Sequence, residues 1–331
     1  LRGARMLDPS SLTGKYLINL DSEEEGILTA GCAGAVRVFC ENPLSAGTAK
    51  GCAGIVKISG LQGGHSGVDI DKNRLNAVKT LGELLDTLNE IADIQIACVH
   101  GGERLNVIPQ NAEAVICFEP TMWNLLCDTV QAFSARLQKE TAEPDACATL
   151  EKTQLPPSCL DKTGTTDLIF TLMQAPCGVC AMNPHIPGLV QTSLNLASAD
   201  LENNILKTAF MIRSNTDSGK QVLVRQITLL MEHLGGDIRL EDDYPAWEYY
   251  PKSDLRDKMI RAYQDLYGQE PVVCTIHAGL ECGILSEKLP NTDMISFGPN
   301  LEHVHTPEER MDVESAKRCW EYLLHVLELL K

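Results

Sequence analysis

Residues 15–26 read KYLINLDSEEEG, a short apolar run that stops at an aspartate and gives way to a serine, three glutamates and a glycine. A run of this length with polar boundaries fits a buried strand, here ending at Asp21. A carboxylate at the carboxyl end of such a strand stands where open α/β sheets present ligands and catalytic groups, and a strand-end cap is its competing role. The glutamates Glu23, Glu24 and Glu25 add little alone, because a run of like charge is usually a solvated face.

The far end of the chain answers this strand. A helix expected from about Ser253 to Tyr267 is followed by VVCTI (272–276), HAGLECG (277–283) opening a helix, DMISFG (293–298) and a C-terminal helix. That alternation belongs to a parallel α/β sheet. The middle of the chain has another style. GIVKISG (54–60) reads as a strand, and a helix is expected from about Asn73 to Ile91 with Leu75, Val78, Leu81, Leu85 and Leu88 on one face. Strands at IQIACVH (94–100) and AVICFEP (114–120) and a helix near Trp123 to Glu140 complete one unit. Beyond the polar, Pro-containing stretch TAEPDACATLEKTQLPPS (141–158) comes a second unit. It has strands at LVQTSLNLAS (189–198) and ILKTAFMIRS (205–214), then a helix over Gly219 to Leu234 stopped by Gly235 and Gly236. Two such units pair into one α+β domain. The expected architecture is therefore an α/β catalytic domain of residues 1–30 and 246–331, a mostly parallel sheet flanked by helices. An α+β lid or dimerisation domain of residues 31–245 is inserted into it.

Composition narrows the function classes. With 331 residues, 44% hydrophobic and 22% charged, the chain affords a core of about two domains. Its 28 basic against 45 acidic residues leave a formal charge of −17, which repels phosphate backbones and anionic lipid. No apolar run reaches the length of a membrane span, and LRGARMLDPSSLTGK lacks the apolar stretch of a signal peptide. Thirteen cysteines scattered through apolar stretches read as small buried hydrophobes in a reducing cytoplasm. The pair Cys177 and Cys180 in APCGVC has knuckle spacing, yet there is no second such pair and no strand entering a helix, so a plain loop is expected.

Four further stretches carry candidate chemistry. SFGPNLEHVHTPEER (296–310) puts His303 and His305 just after a strand, with Glu308 and Glu309 behind them, a pattern that suits a metal ligand or a surface loop. LQGGHSG (61–67) sets His65 among three glycines, where backbone can approach a ligand closely. RLNVIPQ (104–110) offers Asn106, and MIRSN (211–215) offers Arg213 at a strand end, with the planar fork that holds carboxylates.

Taken in order, LINLDSEEEG, LQGGHSG, NVIP, HAGLECG and SFGP…HTPEE resemble the aminoacyl-histidine dipeptidases of the di-zinc exopeptidase superfamily, over nearly the whole chain. The resemblance implies hydrolysis of dipeptides, above all Xaa-His, by a hydroxide shared between two divalent metals, zinc first and cobalt or manganese as alternatives. It assigns Asp21 to one metal and His305, rather than His303, to the other. It gives His65 the polarisation of the scissile carbonyl, and it gives substrate contacts to Asn106, Arg213, Gly279 and Glu281. A homodimer through the lid, a dipeptide substrate and a cytoplasmic location are further implications. The family places an HxD motif, a bridging aspartate and a Glu-Glu pair upstream of the strand ending at Asp21, and no HxD motif occurs anywhere in this chain. Two of five expected ligands thus remain and the general base is missing, so the catalytic domain is expected to be incomplete at its N-terminus and the chain alone inactive. A non-catalytic dimerisation or peptide-binding remnant of the same family is the alternative.

Overall fold

The computed structural model describes residues 2–184, 186–304 and 306–331. Its main elements are β1 (Tyr16–Asn19), β2 (Ile27–Cys32), β3 (Gly34–Pro43), β4 (Cys52–Ser59), α1 (Ala77–Ala92), β5 (Gln95–Gly101), β6 (Ala112–Phe118) and α2 (Trp123–Glu140). There follow β7 (Cys147–Thr153), α3 (Lys162–Gln174), β8 (Gly178–Met182), β9 (Val190–Glu202), β10 (Ile205–Ser214), α4 (Asp217–Leu234) and β11 (Asp237–Tyr244). The chain ends with α5 (Asp254–Tyr267), β12 (Val272–Ile276), α6 (Glu281–Lys288), β13 (Asp293–Ser296) and α7 (Val313–Leu329).

Two sheets take up these strands. The first has the order β1-β13-β2-β12, so it is built from the two ends of the chain. Its outer pairings, β1 with β13 and β12 with β2, are parallel, while β13 meets β2 antiparallel at the single pair Ser296 and Thr29. The sheet is mixed rather than purely parallel. Leu28, Ile295 and Phe297 from this sheet pack with Leu255 and Met259 of α5 and Tyr322 and Val326 of α7, and the Tyr322 hydroxyl donates to the Met259 carbonyl at 2.8 Å.

The second sheet has the order β7-β4-β6-β5-β9-β10-β3-β11, with β8 also paired to β9, and all its pairings are antiparallel. Its core is the larger one. Val78, Leu81, Leu84, Leu85 and Leu88 of α1 are fully buried against it, with Phe210 of β10 and Ile96 of β5. The helix begins at Ala77, later than the apolar spacing predicts, because Asn73 lies at φ 54° and Asn76 is the cap, its side chain accepting from the Val78 and Lys79 amides. The Lys79 ammonium in turn donates to the carbonyls of Leu172, Met173 and Ala175 at the end of α3, satisfying acceptors that a helix terminus leaves open.

Three local expectations change. APCGVC is not a plain loop, since β8 starts at Gly178 and its pairing with β9 is interrupted between Val179 and Ala181, leaving Cys180 at a bulge. The polar stretch 141–158 contains the edge strand β7. Residues 162–174 form α3, capped by the Asp161 carboxylate, which accepts from the Gly164 amide. All thirteen cysteines are free, five of them buried. Among the described residues no helix is long and apolar enough to cross a membrane.

The chain passes between the sheets at two adjacent points, from β2 into β3 and from β11 toward α5. There Cys32 and Trp247 exchange backbone hydrogen bonds of 2.9 and 3.0 Å.

Candidate active site

The turn after Gly64 and His65 brings a glycine to the meeting point of the two sheets. Gly64 and His65 form a two-residue ribbon with Val107 and Ile108. Two residues on, a methyl group placed on Gly67 would lie 2.9 Å from the His277 carbonyl oxygen, 3.1 Å from His65 Cε1 and 3.2 Å from Arg213 Nε. Two side chains, the local His65 and the distant Arg213, and the backbone carbonyl of His277 therefore converge on one position that a glycine leaves open. Gly67→Ala is expected to weaken binding of a ligand held by Arg213 at least tenfold, read by titration calorimetry, while costing no more than about 3 kcal/mol of stability for the added methyl. Unchanged binding would show that substrate does not use this space.

His65 is half-buried. Its Nδ1 accepts from the Gly67 and Val68 amides, both at 3.2 Å, which assigns the ring proton to Nε2 in the neutral form. Burial first, then the charge of Arg213, lowers its pKa, with Asp69 opposing. The imidazole is thus kept as a neutral Nε2–H donor. Asn106 sits beside it on the same ribbon, exposed, its carbonyl accepting from the Ser66 amide at 2.8 Å. The buried Asn195 of β9 fixes this turn, donating to the carbonyls of Leu105 and Val107. Asn195 is itself held by Asn76, whose amide also donates to the Leu196 carbonyl.

Arg213 lies near the end of β10 with 6% of its surface exposed. Its Nε is buried without a hydrogen-bond partner, and among the described residues no carboxylate is within ion-pair distance. Burial pushes its pKa down, offset by the Tyr244 hydroxyl next to it. A buried guanidinium without a counter-charge is costly, so this arrangement suits an anion supplied from outside. The Tyr244 hydroxyl also lies 2.7 Å from where a Gly279 methyl would be, so Gly279 belongs to the same cleft as Arg213.

Glu281 opens α6, with one carboxylate oxygen, Oε2, buried and unpartnered. It and Asp21 both act on the buried Cys282 thiol, which burial first, then Cys32, Glu281 and Asp21, push up to about 12. Asp21 and Glu281 are thus both within electrostatic reach of that thiol. The loop after β1 is zipped to the loop after β13: Ser22 Oγ and Ser296 Oγ are 2.9 Å apart, the Leu301 amide donates to the Glu23 carbonyl, and a methyl on Gly298 would overlap the Ser22 carbonyl at 1.8 Å. Glu25 is committed to structure, both its oxygens accepting from Arg318 of α7 at 2.6 and 2.7 Å. His303 has φ 54° in a hairpin tip, its carbonyl accepting from the Thr306 hydroxyl. His305, the metal ligand implied by the resemblance, lies outside the described residues. Among the described residues no three His, Cys, Asp or Glu side chains are grouped to hold a metal ion, so the described donors do not fit a complete metal centre.

The structure thus unites His65, Arg213 and Gly279 around Gly67 and Tyr244, sets Asn106 next to the ribbon that carries His65, and leaves Asp21 and Glu281 each in reach of Cys282. Sequence reasoning missed His277 and Tyr244. His277 stands in HAGLECG, but its partners are far away in sequence. An open groove of about 590 Å³ lined by Lys57, His100, Arg104 and Glu113 contains none of the candidate residues, although Val107 of the ribbon borders it.

Comparison with known proteins gives the family. The model of peptidase family M20/M25/M40 matches residues 20–329. The cytosol non-specific dipeptidase of Escherichia coli (strain K12) is 31% identical over 98% of this chain and 68% of its own length. The crystal structure of aminoacylhistidine dipeptidase from Vibrio alginolyticus superposes with a TM-score of 0.94 at 29% identity, over 98% of this chain and 67% of that one. These matches give no support to the expectation of an inactive chain.

Proposed function

The chain belongs to peptidase family M20/M25/M40, a family of metal-dependent peptidases, and on that premise we propose that it acts on dipeptides with C-terminal histidine. The observation that carries this reading is Arg213, buried beside His65 with its Nε unpartnered and, among the described residues, no carboxylate within ion-pair distance. A dipeptide's terminal carboxylate supplies the missing counter-charge through the planar fork of the guanidinium. With the carboxylate so held, the scissile carbonyl lies toward His65, whose Nε2–H donates to the oxygen as negative charge builds on it; such donors contribute about 10²–10³ in rate. Asn106 lies on the same ribbon and contacts the peptide backbone, while Gly279 and Glu281 face the rest of the substrate. Two divalent ions, zinc first with cobalt or manganese as alternatives, would be held in part by Asp21 and His305 and would supply polarisation of the carbonyl and a lowered pKa for water. The names of the two relatives support a dipeptidase, and that of the Vibrio protein supports the histidine preference.

We also propose a homodimer through the lid. Among the described residues the strand β7 pairs only with β4, and a second copy would cover its other edge. A cytosolic location is proposed from the name of the Escherichia coli relative and from the free cysteines.

The decisive measurement is histidine release from alanyl-histidine and β-alanyl-histidine with added zinc, cobalt or manganese, beside alanyl-alanine and alanyl-histidine amide. Faster release from the free dipeptide than from its amide supports the reading. Equal rates would remove Arg213 from substrate recognition. Binding of the dipeptide without hydrolysis under any metal would favour the peptide-binding alternative, which the incomplete group of described donors also supports.

A further inference from the structure

We infer that His277 is a positioning residue that locks the lid sheet onto the small sheet and so holds Arg213 in place to receive a carboxylate. This rests on the dipeptide reading above. His277 directly follows β12 of the small sheet, yet both its ring nitrogens bond to residues of the large sheet. Nε2 is 2.7 Å from the Ser193 hydroxyl of β9, and Nδ1 is 3.1 Å from Asn215 Oδ1, just past the end of β10. The Asn215 amide nitrogen donates to the Ile276 carbonyl, which turns Oδ1 toward the ring. The pattern assigns the proton to Nδ1, donating to Asn215, and leaves Nε2 to accept from Ser193.

These two partners bracket Arg213. Ser193 is its direct cross-strand partner, so both side chains point to the same face of the sheet, and Asn215 lies two residues beyond it. The His277 carbonyl and Arg213 Nε approach the same Gly67. Among the described residues the charged group that acts on the ring is Arg213 of β10; burial first, then that charge, holds the ring's pKa down to about 3, against a backbone hydrogen bond with Val190. A neutral ring makes both hydrogen bonds in their observed sense. A protonated one would offer Ser193 a donor in place of an acceptor and add a second positive charge beside the guanidinium.

The test compares the wild-type chain with His277→Ala, Ser193→Ala and His277→Gln. Dissociation constants are measured for alanyl-histidine and for its C-terminal amide, and ¹⁵N spectra of the imidazole and of the Arg213 Nε–H are recorded from pH 8 to 5. Expected are a neutral Nδ1–H ring across this range and a weakening of at least tenfold for the free dipeptide in His277→Ala and Ser193→Ala. The amide should change by less than twofold, and His277→Gln should recover part of the loss. A histidine with a merely structural role would lower the melting temperature and leave the ratio of the two dissociation constants intact, and that outcome overturns the inference. Should His277→Ala fail to fold, Ser193→Ala decides it, since only a hydroxyl is removed. Should the wild type bind acid and amide alike, the dipeptide reading fails instead; the Arg213 Nε–H signal then decides the positioning role, supported if it broadens in Ser193→Ala and refuted if it does not.

Discussion

Replacing Arg213 by methionine is expected to weaken binding of a free-carboxylate dipeptide about a hundredfold or more and, in the same protein, to raise the melting temperature of the unliganded chain. The first effect follows from losing a desolvated, charge-assisted partner, a loss of about 2–5 kcal/mol. The second follows from the state of Arg213 without ligand: 6% exposed, Nε unpartnered and no carboxylate within reach among the described residues. Methionine fills similar space without the desolvation penalty, and exchanges of buried charge for well-packed apolar groups are often neutral or stabilising by about 1–4 kcal/mol. Arg213→Lys keeps the charge and loses the fork, so it should fall between. Titration calorimetry and thermal unfolding of the same samples report both quantities. Unaltered affinity with a lowered melting temperature would make Arg213 a structural residue and remove the central support for the dipeptide reading.

The second large effect is expected at a distance from the cleft. Asn76→Ala should cost about 3 kcal/mol, seen as a shift in the urea midpoint. Its side chain caps α1 by accepting from the Val78 and Lys79 amides, and its amide group donates to Asn195 Oδ1 and to the Leu196 carbonyl. Loss of a cap costs about 1–2 kcal/mol and an abandoned buried acceptor about 1–3 kcal/mol. Because Asn195 also holds the carbonyls on either side of Asn106, the variant should speed hydrogen exchange at the Ser66 and Val107 amides before the core strands respond. Equal protection at these amides would show that the ribbon carrying His65 does not depend on Asn76.

What the sequence disclosed and what it hid divide along physical lines. The first strand was legible because an apolar run with a polar end has one common meaning, although it ends at Asn19 rather than at Asp21, and the turn carrying His65 was legible because a histidine among glycines stands out from any core pattern. The C-terminal alternation was legible as well, although the antiparallel contact between β13 and β2 was not, since register between distant strands leaves no local trace. β7 was hidden by being an edge strand: the exposed Glu151 and Lys152 and the prolines beyond make it read as a polar connection. α3 begins KTGTT, poor helix-forming residues, and depends on the Asp161 cap and on Lys79 reaching its last carbonyls. The start of α1 was misjudged because Asn73 and Asn76 look alike in sequence, while only the second has extended backbone and a side chain turned to the helix amides. His277 was out of reach, because a histidine's role is set by its neighbours, and these lie 62 and 84 residues away.

The small sheet is assembled from the two ends of the chain, and this sets an order of events during synthesis. Tyr16 pairs with Asp293 and Ile27 with Val272, so β1 and β2 leave the ribosome well before their partners exist. An unstructured loop of that length would make the pairing slow, whereas a lid that has already folded presents Cys32 and Trp247 side by side and shortens the search to a few residues. The lid is thereby the template on which the other half is completed. Until then the apolar strand YLIN lacks β13, its partner among the described residues, which makes the nascent chain, rather than the finished enzyme, the form more in need of a chaperone.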